Sequence, residues 1–359
     1  MRKPRAIKRR MFLKTSALGA LGAGIPIKFN FSSVHGSPSE SRPAVKEYRL
    51  LGRTGFKVSD ISSGICLDAG LLNAVLDAGV NYIDTAESYG NEHIIAQAIQ
   101  DRNRKSLFIT TKLIIRKDIG KQGFIERTQR CLRRLKTEYI DCLMIHSCPD
   151  LETLKTGGFH AAMKELKVQG RLRFLGISNH GVSRRTIPKV SMEKVFLAAA
   201  EDGRFDIFLM AYNFLNENNS SRVLQVCGEK NIGAALMKVN PVGLYLRTKE
   251  QVDNIEKMGR EVDRETLALL DRLKDRTDEI KPFVKKYNLK DQSEIRRASV
   301  KWALNNNNVS TVCCRFENFV QLKDFISVSG ERLAALKTSC NRELRIKNRI
   351  SGKVFLEIG

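Results

Sequence analysis

From Tyr48 onward, short apolar stretches rich in β-branched residues alternate with longer stretches of helical periodicity. This alternation is typical of a parallel sheet whose strands are buried on both faces and covered by helices. Through the middle of the chain, successive strands begin about 25 to 35 residues apart, the length of one strand and one helix. The eight predicted strands are Lys57 to Ile65, Val80 to Asp84, Leu107 to Lys112, Tyr139 to His146, Phe174 to Ser178, Asp206 to Tyr212, Ile232 to Lys238 and Val309 to Cys314.

Eight strand–helix units favour a closed (β/α)8 barrel of the TIM type over an open sheet. An open sheet more often carries a glycine-rich dinucleotide turn, and no Gly-x-Gly-x-x-Gly follows any of these strands. The stretch from Arg247 to Arg297 holds 14 bases and 12 acids at helical spacing, which predicts extra helices between strands seven and eight. We therefore expect an α/β barrel over residues 44–330, between an N-terminal segment, 1–43, and a basic C-terminal extension, 331–359.

The N-terminal segment is basic, and its pattern of residues suggests a reason for that charge. Arg9 and Arg10 precede Phe12 to Lys14 and then thirteen uncharged residues, Thr15 to Ile27. A bilayer-spanning helix needs about 20 apolar residues, so this run is short for one. The arrangement resembles a twin-arginine export signal and implies transport of the folded protein to the periplasm by the twin-arginine translocation machinery. Two alternatives stay open: an uncleaved anchor, since no clear cleavage site follows, and a basic tail leading into a buried helix.

The chain is strongly basic, but the excess is diffuse. Its 62 Lys and Arg against 39 Asp and Glu give a formal charge of +23. Residues 1–14 supply +7 and residues 331–359 supply +4, which leaves +12 over more than 300 residues. Proteins that bind nucleic acid concentrate basic residues on one patch or stripe. The distribution therefore argues against nucleic acid as the partner, and also against a membrane-surface role.

The eight cysteines form no Cys-x-x-Cys pair. Zinc and iron–sulfur sites usually contain such closely spaced ligands. We therefore expect neither a metal nor an iron–sulfur cluster, and we interpret the cysteines as small buried apolar residues.

Polar residues stand at the carboxyl ends of the predicted strands, which is the face where a barrel of this kind places its chemistry. Each alone is uninformative, because a lone charge is more often on the surface. Their convergence on one face is what predicts a site there. These residues are Asp84, Lys112, His146, Ser178, Asn179, Tyr212, Asn213, Met237, Lys238 and Arg315.

The segment Asp84-Thr-Ala-Glu-Ser-Tyr89-Gly-Asn resembles the aldo-keto reductase family. Lys112 ends Ile-Thr-Thr-Lys and His146 ends Asp-Cys-Leu-Met-Ile-His, which match the next two members of the family's tetrad in order and strand position. The resemblance covers roughly residues 48 to 330. It implies an NAD(P)-dependent oxidoreductase that acts on a small carbonyl or alcohol substrate, with Asp84, Tyr89, Lys112 and His146 as catalytic residues.

The chemistry of carbonyl reduction suits these four residue types. Hydride transfer leaves negative charge on the carbonyl oxygen, which a positioned proton donor must neutralise. A free tyrosine has a pKa of about 10, and we expect the Lys112 ammonium to lower the pKa of Tyr89 by stabilising the phenolate. Asp84 would keep Lys112 charged and oriented. His146 would orient the substrate carbonyl and share in proton transfer.

The resemblance also implies a nicotinamide dinucleotide as cofactor, because no side chain supplies hydride. Ser178 and Asn179 match the family's contacts to the carboxamide, and Met237, followed by Lys238, matches the position against the nicotinamide face. Arg315 follows the last strand near the expected adenosine phosphates. A guanidinium there favours NADP, with NAD as the alternative.

Three positions depart from the family pattern. Leu209 replaces a Gln that commonly contacts the carboxamide, Phe325 replaces an Asn that commonly meets adenine, and Cys313-Cys314-Arg315 replaces Ile-Pro-Gly. These departures keep a second hypothesis open, in which the exported barrel is a binding or regulatory module with little or no turnover.

Overall fold

The computed structural model describes residues 43–116, 118–181 and 190–333. Eight parallel strands within these residues close into a barrel, and each predicted strand contributes to it. The fold class predicted from the sequence is therefore confirmed. Around the barrel the strands are β3 (Ile61–Ser63), β4 (Tyr82–Asp84), β5 (Phe108–Leu113), β6 (Ile140–Ile145), β7 (Leu172–Asn179), β8 (Ile207–Ala211), β9 (Gly233–Met237) and β10 (Thr311–Cys314), and β10 pairs with β3.

Helices cover the outside of the barrel. Several begin at a side-chain cap; Asp68, for example, accepts a hydrogen bond from the backbone N–H of Leu71 at 2.6 Å, which satisfies a donor at the helix start. Four helices, α8 to α11, lie between β9 and β10, as the mixed charge there predicted. The helices are α1 (Ala69–Asp77), α2 (Glu92–Ile99), α3 (Lys121–Leu135), α4 (Leu151–Leu154), α5 (Gly157–Val168), α6 (Met192–Asp202), α7 (Glu217–Glu229), α8 (Gly243–Lys257), α9 (Arg264–Glu279), α10 (Lys281–Lys286), α11 (Gln292–Leu304) and α12 (Phe319–Ser327).

The first predicted strand is two strands in the structure. Its beginning is β2 (Lys57–Ser59), which pairs antiparallel with β1 (Tyr48–Leu50), and only its end, β3, enters the barrel. The break falls at Asp60, whose buried carboxylate accepts hydrogen bonds from Ser329 Oγ at 2.6 Å and the Gly330 N–H at 2.7 Å. Apolar periodicity does not show this break, because residues on both sides of Asp60 are buried.

The β1–β2 hairpin closes the amino-terminal end of the barrel. Leu51 and Val58 of the hairpin belong to the same buried cluster as strand residues that point into the barrel. Arg53 anchors the turn by donating hydrogen bonds to the Asp206 carboxylate and to the carbonyl of Phe205. The barrel interior is thus a packed core. Its other buried apolar residues are Tyr82, Phe108, Cys142, Met144, Ile207, Leu209 and Ala235.

No helix of the described residues is long and apolar enough to cross a membrane. The N-terminal segment with Arg9 and Arg10 and nearly all of the C-terminal extension lie outside the described residues. The predictions made for those two segments therefore stay predictions.

Gly52 offers a test of the hairpin closure. Its φ is +50°, and a Cβ built on it would lie 2.2 Å from the backbone nitrogen of Gly233. We expect Gly52→Ala to lower the free energy of unfolding by about 3 kcal/mol or more, from left-handed backbone strain plus the clash. Gly55 is the matched control, because its φ is +69° with no atom within 4 Å of a built Cβ. Gly55→Ala should cost only about 1–2 kcal/mol. Equal losses in urea unfolding would contradict the close approach.

Candidate active site

Four predicted catalytic side chains meet at the carboxyl end of the barrel. Asp84 is the last residue of β4, Lys112 lies in β5, and His146 directly follows β6. Tyr89 ends a short 3-10 turn, Glu87–Tyr89, which returns the chain to the barrel mouth after β4. The barrel topology therefore assembles groups that are up to 62 positions apart in the sequence.

Asp84 and Lys112 form a buried ion pair. Lys112 Nζ lies 2.6 Å from Asp84 Oδ2 and also donates a hydrogen bond to the Thr85 carbonyl at 2.8 Å. Asp84 Oδ1 accepts a hydrogen bond from Thr110 Oγ1 at 2.8 Å. Only 1% of the Lys112 side chain and 7% of the Asp84 side chain are exposed. These contacts fix the position of the ammonium.

This environment keeps Lys112 charged. Burial by itself lowers the pKa of Lys112, but the negative charge of Asp84 and the hydrogen bond to it outweigh burial, so the pKa lies above its usual range. For Tyr89, burial raises the pKa and outweighs the positive charge of Lys112, which lowers it. Lys112 therefore acts in the predicted direction, yet the net pKa of Tyr89 is raised. Near neutral pH the phenol retains its proton, as a proton donor must.

Tyr89 and His146 contact each other beside the ion pair. The Tyr89 hydroxyl and His146 Nε2 are 3.5 Å apart, and the rings meet edge to face at 84°. Lys112 Nζ lies 4.9 Å from the centroid of the Tyr89 ring. A carbonyl oxygen beside the pair, within hydrogen-bond distance of both the hydroxyl and the imidazole, would meet two hydrogen-bonding groups, with the ammonium behind the hydroxyl.

A cleft of about 350 Å³ runs from this cluster along the carboxyl face of the barrel. Asp84 and Tyr89 line its inner part, and Met237, Lys238 and Arg315 line it further out. Three of the five predicted cofactor residues therefore share one cleft with the catalytic cluster. Lys238 lies directly after β9 with a left-handed φ of +57°, so the chain turns sharply at the cleft wall.

Ser178 and Asn179, the other two predicted cofactor residues, are buried and are not part of the lining of this cleft. Ser178 Oγ accepts a hydrogen bond from the Ser147 N–H at 3.0 Å. Asn179 Nδ2 donates to the Cys148 carbonyl at 2.7 Å, and its Oδ1 accepts from the Gly181 N–H at 2.7 Å. In this structure both side chains hold the loops after β6 and β7.

At the outer end of the cleft, two guanidinium groups lie near one carboxylate, an arrangement that the sequence analysis missed. Arg315 Nε lies 2.7 Å from Glu317 Oε1, and Arg247 Nη1 lies 3.8 Å from the same oxygen. Burial and the charge of Arg315 lower the pKa of Arg247, while Glu317 opposes them. Arg247 went unnoticed because it opens a stretch of mixed charge that is typical of solvated helix faces. Glu317 partly neutralises the guanidinium on which the preference for NADP was based.

The departures from the family pattern also line the cleft. Leu209 presents an apolar side chain to its inner part, and Phe325 lies at its outer end. The Phe325 ring packs edge to face on Phe316 at 5.5 Å, with the Arg296 guanidinium 5.9 Å from its centroid. Phe325 therefore offers a flat apolar surface in place of a hydrogen-bonding amide.

His180 is a second residue that the sequence analysis missed. It lines the cleft and its ring centroid lies 6.2 Å from that of His146. The signal was its place directly after Ser178 and Asn179, at the carboxyl end of β7.

The described residues contain no group of three or more His, Cys, Asp or Glu side chains arranged to hold a metal ion. All seven cysteines within them are thiols. Cys313 lines the cleft, and burial raises its pKa well above the usual value, so its thiol is a poor nucleophile.

Comparison with known proteins identifies the family. The profile of the "Aldo/keto reductase family" matches residues 67–339, about three quarters of the chain. An aldo-keto reductase from Bacillus halodurans, solved in its holo form, superposes with a TM-score of 0.59 at 20% identity over 83% of this chain and 96% of that one. The chain belongs to the aldo/keto reductase family.

Curated relatives match over shorter stretches. Methylglyoxal reductase DkgB of Salmonella typhi is 35% identical over 133 residues, 36% of this chain and 47% of that protein. A rice protein named "Probable voltage-gated potassium channel subunit beta" is 34% identical over 128 residues, 30% of this chain and 39% of that protein. The chain thus spans about half the length, or less, of these two relatives.

The buried ion pair makes a stability prediction. Asp84→Asn or Lys112→Met alone should each lower the free energy of unfolding by about 3–5 kcal/mol, because each leaves an uncompensated buried charge. The double variant should lose less than the two single losses added together, since it removes both charges. Chemical denaturation of the three variants measures this. Additive losses would show that the two charges do not depend on each other.

Proposed function

We propose that this protein is an exported carbonyl reductase that uses a nicotinamide cofactor, in which Tyr89 donates the proton. The observation that carries the proposal is the arrangement of Tyr89 between a buried, charged Lys112 and the His146 imidazole. A structural ion pair would not need a phenol hydroxyl directed into a cleft beside it. Perturbed titratable groups gathered in a cleft are typical of catalytic sites.

The four residues divide the work of carbonyl reduction. His146 Nε2 and the Tyr89 hydroxyl hydrogen-bond the carbonyl oxygen and so hold the carbon in one orientation. As negative charge develops on that oxygen, Tyr89 transfers its proton, and the Lys112 ammonium stabilises the resulting phenolate. Asp84 keeps Lys112 charged through the 2.6 Å contact. Oxidation of an alcohol would use the same groups in reverse.

The residues of the cleft fit a nicotinamide dinucleotide, which in its reduced form would supply the hydride. Leu209 and Met237 form an apolar wall next to Tyr89, suited to a flat ring, and Arg247 and Arg315 provide cations further out for phosphates. Arg315 supports NADP as the cofactor, as in the sequence analysis. Glu317 beside it partly neutralises the guanidinium, so the difference in affinity between NADP and NAD should be smaller. Ser178 and Asn179 stay candidate contacts to the nicotinamide carboxamide. To bind it, their side chains would have to give up their present hydrogen bonds to the loop backbone.

The substrate we propose is a small aldehyde or ketone, because the reacting position lies inside the barrel mouth. Similarity to methylglyoxal reductases supports this class. For localisation, the Arg9-Arg10 signal supports export to the periplasm, with retention as an anchor if the signal is not cleaved. Cell fractionation of a variant with both arginines changed to Lys tests this proposal, and undiminished export would contradict it.

A binding or regulatory module is the second candidate function. Similarity to a protein named as a channel β subunit favours it, as does the loss of a polar carboxamide contact at Leu209. The complete Asp84, Tyr89, Lys112 and His146 cluster opposes it. The two candidates differ in turnover.

The activity prediction concerns Tyr89. Wild-type protein should oxidise NADPH in the presence of methylglyoxal, and Tyr89→Phe should lower kcat by about 100-fold or more, because it removes the proton donor. Absorbance at 340 nm measures the rate, and fluorescence titration of NADPH should give the same Kd for both proteins. A wild type that binds NADPH or NADH but turns over no carbonyl would instead support the binding module.

A second prediction concerns the cofactor preference. Glu317→Gln should increase the affinity for NADPH several-fold relative to NADH, because it frees two guanidinium groups from a carboxylate. Fluorescence titration with both nucleotides measures the ratio. Glu229→Gln, an exposed Glu paired with Gln225 on α7, is the control. An unchanged ratio of the two affinities would show that Arg247 and Arg315 do not bind the 2′-phosphate.

A further inference from the structure

Arg127, on α3, connects the turn that carries Tyr89 to the strand that carries Lys112. Its side chain is only 11% exposed. Its Nε lies 3.1 Å from Glu87 Oε1 and 3.0 Å from Oε2, and its Nη2 also donates a hydrogen bond to Oε2. Its Nη1 donates a hydrogen bond to the Ile114 carbonyl at 2.8 Å. One guanidinium therefore uses all three of its nitrogens to join two separate segments of the chain.

Both acceptors are close in the sequence to predicted catalytic residues. Glu87 begins the 3-10 turn that Tyr89 ends. Ile114 directly follows β5, two positions after Lys112. A buried guanidinium is costly unless a carboxylate and further hydrogen bonds compensate it. Here those partners belong to the segment of the proton donor and to the strand of the cation beside it.

Apart from this ion pair, the tip of the turn is largely exposed. Thr85 Oγ1 donates a hydrogen bond to Asn91 Oδ1 at 2.6 Å, which closes the base of the loop. At the tip, Ser88 and Gly90 are exposed, and no side chain among the described residues caps the start of the turn. A segment with few buried contacts opens locally at a low free-energy cost. The ion pair with α3 anchors this tip.

The position of the tip sets the geometry of the proton donor. Lys112 is held by its own buried ion pair, so the 4.9 Å from its Nζ to the centroid of the Tyr89 ring depends on where the turn lies. The same holds for the 3.5 Å between the Tyr89 hydroxyl and His146 Nε2. A displacement of about 1 Å at a reacting group can lower a rate about 100-fold.

We propose that Arg127 is a positioning residue, which through Glu87 keeps the Tyr89 hydroxyl within reach of the substrate carbonyl. This inference rests on the proposed carbonyl reduction. Arg127 is not part of the cleft lining and exchanges no proton: the carbonyl carbon gains the hydride of the reduced nicotinamide, and its oxygen gains the proton of Tyr89. Arg127 acts by limiting the movement of the turn.

Substitutions at the two ends of the ion pair test the proposal. Arg127→Met should lower the single-turnover rate of NADPH oxidation by methylglyoxal, counted per bound NADPH, about tenfold or more, and should change the Kd for NADPH less than twofold. Glu87→Gln should cause a similar loss. The double variant should lose about as much as one single variant, since all three break the same contact. Arg127→Lys keeps the charge without the planar fork and should fall in between.

Arg102→Met is the matched control. Arg102 also joins a carboxylate, that of Asp77 at 2.6 Å, to a backbone carbonyl, that of Ala98 at 3.1 Å, and it is not part of the cleft lining. This variant should lower the Tm and leave the rate per bound NADPH unchanged. A loss of rate that merely followed stability would appear in both variants.

Hydrogen exchange supplies a measurement that needs no cofactor. The amides of residues 86–91, followed by mass spectrometry, should exchange several-fold faster in Arg127→Met than in wild type and at the wild-type rate in Arg102→Met. Unchanged exchange in Arg127→Met would overturn the proposal, because the turn would be held without the ion pair. Faster exchange with an undiminished rate of reduction would overturn it as well.

The rates of the variants separate the remaining outcomes. Additive losses in the double variant would contradict the proposal, because Glu87 and Arg127 would then act independently. If wild-type protein binds NADPH and reduces no carbonyl, the proposed function fails, and the positioning role fails with it. The two failures are distinguishable, since the first shows in the wild type and the second only in the variants.

Discussion

The Asp84–Lys112 ion pair is the interaction on which the rest of the site depends. A buried ammonium is costly unless a carboxylate and further hydrogen bonds compensate it, and here Asp84, Thr85 and Thr110 supply them. The barrel makes this possible because β4 and β5 are adjacent and in register, with Asp84 beside Thr110. Once the charge is held inside, the phenol of Tyr89 lies next to a fixed cation.

The same barrel explains why the site has two different ends. Inside the mouth, alternate strand residues form a closed apolar core capped below by the β1–β2 hairpin. The Asp84 and Lys112 side chains are almost fully buried, so each charge has a strong local effect. At the outer end, Arg247, Arg315 and Glu317 are partly exposed, and their interactions are screened. In the proposed function, the inner end would carry out the chemistry and the outer end would recognise a large anionic cofactor.

Much of this could be predicted from the sequence. The strand count, the extra helices before β10 and the convergence of Asp84, Lys112 and His146 follow from periodicity and from the rule that strand ends share a face. Tyr89 was predicted from the resemblance to the family. The structure places each of them as predicted. The roles of those residues stay predictions. The break at Asp60 was missed because it depends on tertiary bonds to Ser329 and Gly330. Arg247 and His180 were missed because their place in the cleft depends on how the loops and α8 pack. Likewise, the net pKa of Tyr89 depends on burial, which a motif does not report.

Transfer of deuterium from cofactor to product would show the proposed reduction itself. Full-length protein would be incubated with NADPH deuterated at C4 of the nicotinamide and with methylglyoxal, and the product analysed by mass spectrometry. We expect one deuterium on the former carbonyl carbon when the reactive face carries the label, and almost none with Tyr89→Phe. Absence of deuterated product from a wild-type protein that binds NADPH would contradict it, because the cluster around Lys112 would then carry out no reduction.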